Sequence, residues 1–337
     1  MSTETSFRCF AMLTDLPTEG LSAVAQHRLS GSRARFPASL NVARKDVVRL
    51  RAETLRRMSI SGVQDKISLR LVRGRLVPTE TGGTHILKPV PGSGALELVD
   101  DVPANEALTM HLAEVVGGCT VADYGLLRLA DGSLAYITRR FDRVSGSDTK
   151  LIQEDCGVLA GRSQESHGMN YKYDFSYEEI GRLLMKHCTA PLPSCFEFFR
   201  RVLFSYVIGN GDAHLRNFSV LRDLDGMVRL SPAYDLLSST IHVPQESPLA
   251  LTLLADGEFT LAFQARGFYS APDFREFGRR IGLTPGHLET EIERYREPRF
   301  FDVIQSKVWR SFLSAPAQEA FVRIIRDRLR AIDQDDL

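Results

Sequence analysis

Apolar residues fall along this chain in two rhythms, and the rhythms divide it. FEFFRRVLFSYVI, residues 196–208, is apolar on nearly every side and predicts a helix inside a core, not on its surface. Leu108, Leu112 and Val115 recur at helical spacing behind Pro103, which predicts a helix from there through about Val116. Ser176-Tyr177-Glu178-Glu179 spells a capping box, so a second helix should run to about Cys188. Thr284-Pro285 starts another, and the last 30 residues read as amphipathic helix with an acidic tail. Asn41 can cap a short helix through about Arg56.

Period-two patterning dominates elsewhere. SISGVQDKISLRLVRGRLVP (59–78) reads as a glycine-containing turn, a strand, a turn at Arg73-Gly74 and a second strand. HILKPV (85–90) is a short buried strand closed by Pro89, and the Gly- and Pro-rich PGSGALELVDDVP that follows reads as a loop. YGLLRLADGSLAYITRRF (124–141) predicts a hairpin turning at Asp131-Gly132. FSVLRDLDGMVRLSPAYD (218–235) predicts two short strands around Asp225-Gly226. No repeat of 20–50 residues is visible. The expectation is an α+β fold: a strand-rich region over 1–140 and a larger, mainly helical region over 141–337.

Composition narrows the class without naming it. The 337 residues are 43% hydrophobic and 25% charged, with 42 basic and 42 acidic side chains. That balance gives no reason to expect direct nucleic-acid binding. No apolar run approaches the roughly 18 residues of a membrane span, and MSTETSFRCF is not a signal peptide. Five cysteines at 9, 119, 156, 188 and 195 lack zinc spacing, so reduced thiols in a cytoplasm are expected. Residues 27–57 hold nine Lys/Arg against Asp46 and Glu53; a solvated basic face is the first reading, a phosphate-facing surface the second.

The polar cluster GNGDAHLRNFSV (209–220), on the lip of the apolar helix, invites a chemical reading. Asp212 and Asn217 are five apart, and the following hairpin returns Asp235 towards them. Hard oxygen ligands such as Asn217 and Asp235 suit Mg²⁺, which takes one or two carboxylates and completes its shell with phosphate and water. Asp212 is then left to accept a hydroxyl proton, the loop logic of protein kinases. Turn-forming Asp and Asn satisfying their own backbone is the plainer alternative. Lys88 is a lone lysine in an apolar strand, and buried lysines are rare unless paired; Glu106 is the candidate partner. Ser59, Ser61 and Gly62 could form a turn whose N–H groups cradle phosphate, or simply a hairpin entry.

With these residues in hand the chain resembles the HipA family of serine/threonine kinase toxins. SISGVQDK, HILKP, NEALTMHLA, RRFDR, QED, NGDAHLRNFSV and AYD occur in the family's order over about residues 55–240. The resemblance implies a two-lobed, protein-kinase-like fold using ATP and Mg²⁺. It implies Lys88 on the ATP phosphates, Asp212 as catalytic aspartate, and Asn217 and Asp235 as metal ligands. It also implies Asp142 and His214 at the ribose and Phe141 beside the adenine. The short N-terminal part and the two serines of MSISGVQDK look most like HipT, the short toxin of three-gene systems. That likeness implies autophosphorylation at Ser59 and Ser61. It further implies a small HipS-like protein and a HipB-like helix-turn-helix antitoxin as partners, with DNA reached only through the antitoxin. The implied substrate is an aminoacyl-tRNA synthetase, tryptophanyl before glutamyl. Arg139 departs from the family, many of whose members carry an acid there, and QED (153–155) matches without a role for each residue. A phosphotransferase acting on a small molecule or lipid, and an inactive nucleotide-binding subunit of a repressor complex, are the competing readings.

Overall fold

The computed structural model describes residues 7–46, 66–92 and 95–335. The chain divides into two compact units, each assembled from separated segments. The first draws on Met1–His111, Ala122–Lys150 and Lys307–Gln318, the second on Leu112–Val121, Leu151–Ser306 and Glu319–Leu337.

In the first unit, β1 (Phe7–Arg8) and β2 (Asp15–Leu16) form a small antiparallel pair. The main sheet contains β3 (Ser39–Leu40), β4 (Ile67–Val72), β5 (Arg75–Pro78), β6 (His85–Lys88), β7 (Tyr124–Leu129) and β8 (Leu134–Arg139). Its order is β3-β7-β8-β6-β4-β5, and only the β3–β7 pairing is parallel. The β4–β5 turn is Arg73-Gly74, both at positive φ (48° and 75°), the twist-compatible geometry of a two-residue hairpin. The helix Val102–Val115 agrees with the apolar spacing that predicted it. The helix Ala23–Ser30, capped by Ser22, was not predicted: only Ala25 and Leu29 face inward, too short a stripe to register as periodicity. Of the helix expected from Asn41 to Arg56, residues 44–46 are helical and 47–56 lie outside the described residues.

A distant stretch completes this unit. Arg8 Nη1 donates to the carbonyls of Arg310 (2.5 Å) and Ser311 (3.3 Å), and the Asp101 carboxylate accepts the Ser314 N–H and hydroxyl, each at 2.6 Å. Phe312 packs edge-on to Phe10 at 5.2 Å.

In the second unit the apolar run becomes the helix Pro191–Ile208, longer than the 196–208 expected because Pro191 sits in its first turn, where a missing N–H costs nothing. Phe198, Phe199, Val202, Leu203, Phe204, Tyr206, Val207 and Ile208 are all fully buried. Gly209, at φ 68°, ends the helix; a β-carbon there would lie 3.0 Å from Thr240 Oγ1. The helix Tyr177–His187 carries the expected capping box. β9 (Ile152–Asp155) joins the predicted hairpin, β10 (Ser219–Arg222) and β11 (Val228–Leu230), in the order β11-β10-β9. The helices Pro285–Arg296 and Ala315–Ile332 were expected; Leu261–Arg266, Ala271–Arg280 and Pro298–Trp309 were not. All five cysteines are buried and none is in a disulfide. Among the described residues no helix is long and apolar enough to cross a membrane.

Candidate active site

Lys88 closes β6 and is 4% exposed. Register puts it opposite Tyr136 on β8, whose ring centroid lies 5.4 Å from the ammonium. Its Nζ is 2.5 Å from Oε1 of the buried Glu106, on the helix Val102–Val115. A strand-end lysine turned to solvent is thereby excluded. Opposite charges buried this deep need one another, because an unpaired charge in such a setting is costly.

The loop after Gly209 is held at several backbone groups along its length. Gly209 O accepts from Thr240 Oγ1 at 3.0 Å, and Asn210 N–H donates to Ser205 O at 2.8 Å. Buried Tyr177 donates its hydroxyl to Ala213 O at 2.9 Å, and Tyr234 donates to Arg216 O at 2.9 Å. Leu215 N–H reaches Lys172 O at 3.1 Å. Such a loop presents its side chains from a fixed backbone. Asn217 stands at its end, accepting from His214 N–H at Oδ1 (3.1 Å) and donating from Nδ2 to Asp235 Oδ2 (3.1 Å). Asp235 holds φ at 59°, a left-handed conformation that costs most residues and that Asp tolerates better than most. So the residues expected to share a cation are brought together across 18 positions of sequence.

Asp212 is exposed, and Tyr173 donates its hydroxyl to Asp212 Oδ1 at 2.5 Å. Burial first, then that bond to a carboxylate, push the Tyr173 phenol above its ordinary pKa. Behind the loop, Glu246 accepts from Ser239 Oγ, from Thr240 Oγ1 at 3.1 Å and from Gly211 N–H at 3.3 Å. Burial raises the Glu246 pKa, its hydrogen bonds oppose that, and nearby Asp212 adds to it. Gly211 is obligatory here: a β-carbon would come within 2.4 Å of Ser247 O. Tyr173, Tyr177 and Glu246 were missed by the sequence reading. NG before Asp212 was the available signal, since a glycine beside a functional residue often marks close backbone approach.

The profile of the HipA-like C-terminal domain matches residues 58–298. The chain belongs to that family. Across 328 residues it is 29% identical to a Haemophilus influenzae protein whose name calls it a kinase only provisionally, covering 93% of each chain. To the serine/threonine-protein kinase toxin HipA of Shewanella oneidensis it is 28% identical over 220 residues, 60% of this chain and 48% of that protein. It thus spans about half the length of that toxin. The HipA chain in the S. oneidensis complex of HipA, HipB and operator DNA superposes with a TM-score of 0.61 at 22% identity, covering 86% of this chain and 70% of that one. The Helicobacter pylori proinflammatory kinase CtkA gives 0.51 at 14% identity, covering 82% and 92%. At these identities the two structures speak for a shared fold.

Other residues of this HipA-like chain divide between engaged and unassigned. Asp142 is buried and its two oxygens are gripped by Arg140 at 2.9 and 2.6 Å, so a ribose hydroxyl would have to share them. Phe141 is half-buried, and His214, packed edge-on to Tyr173 at 5.4 Å, has its pKa lowered chiefly by burial. Ser59, Ser61 and Gly62 lie outside the described residues. The QED residues gain structural work: Gln153 Nε2 bonds Ser219 Oγ at 3.2 Å, while Asp155 caps residues 156–159 and accepts from Arg216 Nε at 3.1 Å. Arg139 answers Asp123 at 3.4 Å, beside Arg28 on the same carboxylate at 2.9 Å.

The donor set suits a hard divalent cation. Asn217 and Asp235 carry the hard oxygens that Mg²⁺ takes, and a cation shared between them would replace the 3.1 Å amide–carboxylate hydrogen bond that joins them.

Proposed function

We propose that this chain is an ATP-dependent serine/threonine protein kinase of the HipA toxin type, its two units answering to the two lobes of a kinase-like fold. The observation that carries this reading is the buried Lys88–Glu106 pair, 2.5 Å apart. A desolvated ion pair seldom adds net stability over apolar packing, whereas a lysine held rigidly by a carboxylate is what nucleotide phosphates require.

Lys88 neutralises phosphate charge, with Glu106 fixing its ammonium. Asn217 and Asp235 hold Mg²⁺, which when bound shields the charge of the transferring phosphoryl group. Asp212 receives the proton of the acceptor hydroxyl, and the held loop around it keeps that carboxylate in place. Asp142 and His214 take the ribose and Phe141 flanks the adenine, while Ser61 and Gly62 are assigned to the phosphates. Ser59 and Ser61 are themselves acceptors. A phosphate there adds about −1.5 to −2 charges, enough to expel nucleotide phosphates.

The protein substrate is an aminoacyl-tRNA synthetase, tryptophanyl first and glutamyl next, so that phosphorylation inhibits translation in the cytoplasm. The partners are a HipB-like helix-turn-helix antitoxin and a small HipS-like protein; the antitoxin reading is supported by the S. oneidensis HipA complex, which contains HipB and operator DNA. The test is phosphoproteomics of cells producing the wild-type chain or Asp212→Gln. A synthetase phosphopeptide dependent on Asp212 is expected. Identical phosphopeptide profiles would sink the proposal, and phosphate found only on small molecules or lipid would move it to the other acceptor class.

A further inference from the structure

The Tyr173–Asp212 contact belongs to no assigned role. It occupies one oxygen, Oδ1, of the carboxylate that the proposed reaction needs. Tyr173 is 39% exposed, and its hydroxyl reaches Asp212 Oδ1 at 2.5 Å. The phenol is not there by drift, because its segment is fastened on both flanks. Lys172 O accepts from Leu215 N–H at 3.1 Å, inside the same loop as Asp212. Tyr173 N–H donates to Asn170 O at 2.8 Å, and Tyr171 OH accepts from Arg216 Nη1 at 3.2 Å. On the other side Arg162 bonds Asp174 Oδ2 at 3.0 Å and lies 4.8 Å from the centre of the Phe175 ring. The Tyr173 ring packs edge-on to His214 at 5.4 Å, with the Lys172 ammonium 4.8 Å from its centroid.

A hydroxyl donating to a general base stands where an acceptor hydroxyl must stand. We infer that Tyr173 is a specificity-determining residue, an internal stand-in for the acceptor that keeps water off Asp212 Oδ1 until a protein hydroxyl displaces it. The inference rests on the proposed kinase reading. The reaction it suppresses is hydrolysis. A water oxygen bonds to the γ-phosphorus, the bond from that phosphorus to the bridging oxygen of ADP breaks, and the water proton goes to Asp212. Water alone is small and mobile, and it competes poorly with a phenol held by its own backbone. An acceptor side chain on a docked protein brings binding energy from elsewhere to displace it. Tyr173 acts through Asp212, so it is a positioning group and not a catalytic one. Its removal should raise a rate, which loss of a merely structural contact would not do.

The experiment is inorganic phosphate release from ATP and Mg²⁺ with no protein acceptor, by wild type, Tyr173→Phe, Asp212→Asn and the double variant. Phenylalanine keeps the ring against His214 and removes only the hydroxyl. Tyr173→Phe is expected to release phosphate several-fold faster than wild type at unchanged KM for ATP, and the double variant to lose that gain. Release from Tyr173→Phe equal to or below wild type overturns the inference, since the phenol then orients Asp212 or does nothing. A faster rate that persists in the double variant also overturns it. If no variant and no wild-type preparation shows Asp212-dependent phosphate release or transfer, the kinase reading fails first and this inference with it.

Discussion

Lys88–Glu106 and the Asp212 loop solve opposite problems with the same kind of side chain. The first is a dry ion pair between a strand end and a helix, with both partners buried. The second presents an exposed carboxylate from a backbone fastened by Tyr177, Thr240, Glu246 and Lys172. In the pair the charges themselves are held by burial, so removing one disturbs the fold. In the loop the backbone is held independently of Asp212, whose exposed carboxylate accepts only from the Tyr173 hydroxyl, so replacing it should leave the fold nearly intact.

The sharpest way to break the comparison is Lys88→Met. Buried Glu106 would lose its Lys88 partner, and urea unfolding should show a loss of about 3–5 kcal/mol. Pairing it with Glu106→Leu should return most of that stability while activity stays absent. If Lys88→Met is as stable as wild type, the pair is not the dry contact described.

Acid should next find the first unit. His85 donates from Nε2–H to Leu29 O at 2.8 Å, which leaves Nδ1 to accept from Thr84 Oγ1 at 2.8 Å; burial above all lowers its pKa to about 4. His111 is likewise lowered to about 4, chiefly by burial. Both therefore contribute stability that is complete above an unfolded pKa of about 6.5 and is lost as pH falls from there towards 4. Across that window the unfolded chain binds protons the folded chain refuses, at a slope of up to about 1.4 kcal/mol per pH unit for each histidine. Calorimetry from pH 7 to 4 should show the decline, and His85→Gln should make it shallower, leaving the part due to His111.

Gly211→Ala comes third. Its β-carbon meets Ser247 O and the Glu246 side chain, so a loss of about 1–3 kcal/mol is expected. Asp212→Asn closes the series: a stability change of about 1 kcal/mol or less, against a fall in phosphoryl transfer of roughly 10²–10⁴-fold. Should Asp212→Asn unfold the chain, the contrast between the two regions disappears.

Much of this was legible in the linear order, and the misses have physical causes. Hairpins at Arg73-Gly74, Asp131-Gly132 and Asp225-Gly226 announced themselves because glycine at positive φ is a local requirement. The Lys88–Glu106 pairing was readable because a lysine in an apolar strand needs a counter-charge. Tyr173 and Glu246 were not readable, since a tyrosine in YKYDF and a glutamate in PQESP look like any loop residues. Their roles depend on which backbone N–H or carboxylate lies opposite, and that is a long-range fact.

The sequence by itself determined the hairpins and the helices with a clear apolar stripe or cap, the burial of the helix before Gly209 and the inventory of chemically useful side chains, because each follows from local periodicity, turn chemistry and the cost of burying charge. Tertiary structure decided that residues 307–318 complete the first unit, that Asn217 meets Asp235, and that a tyrosine covers Asp212. Those outcomes turn on contacts between segments far apart in the chain, where packing and hydrogen-bond geometry, not local propensity, select the partner.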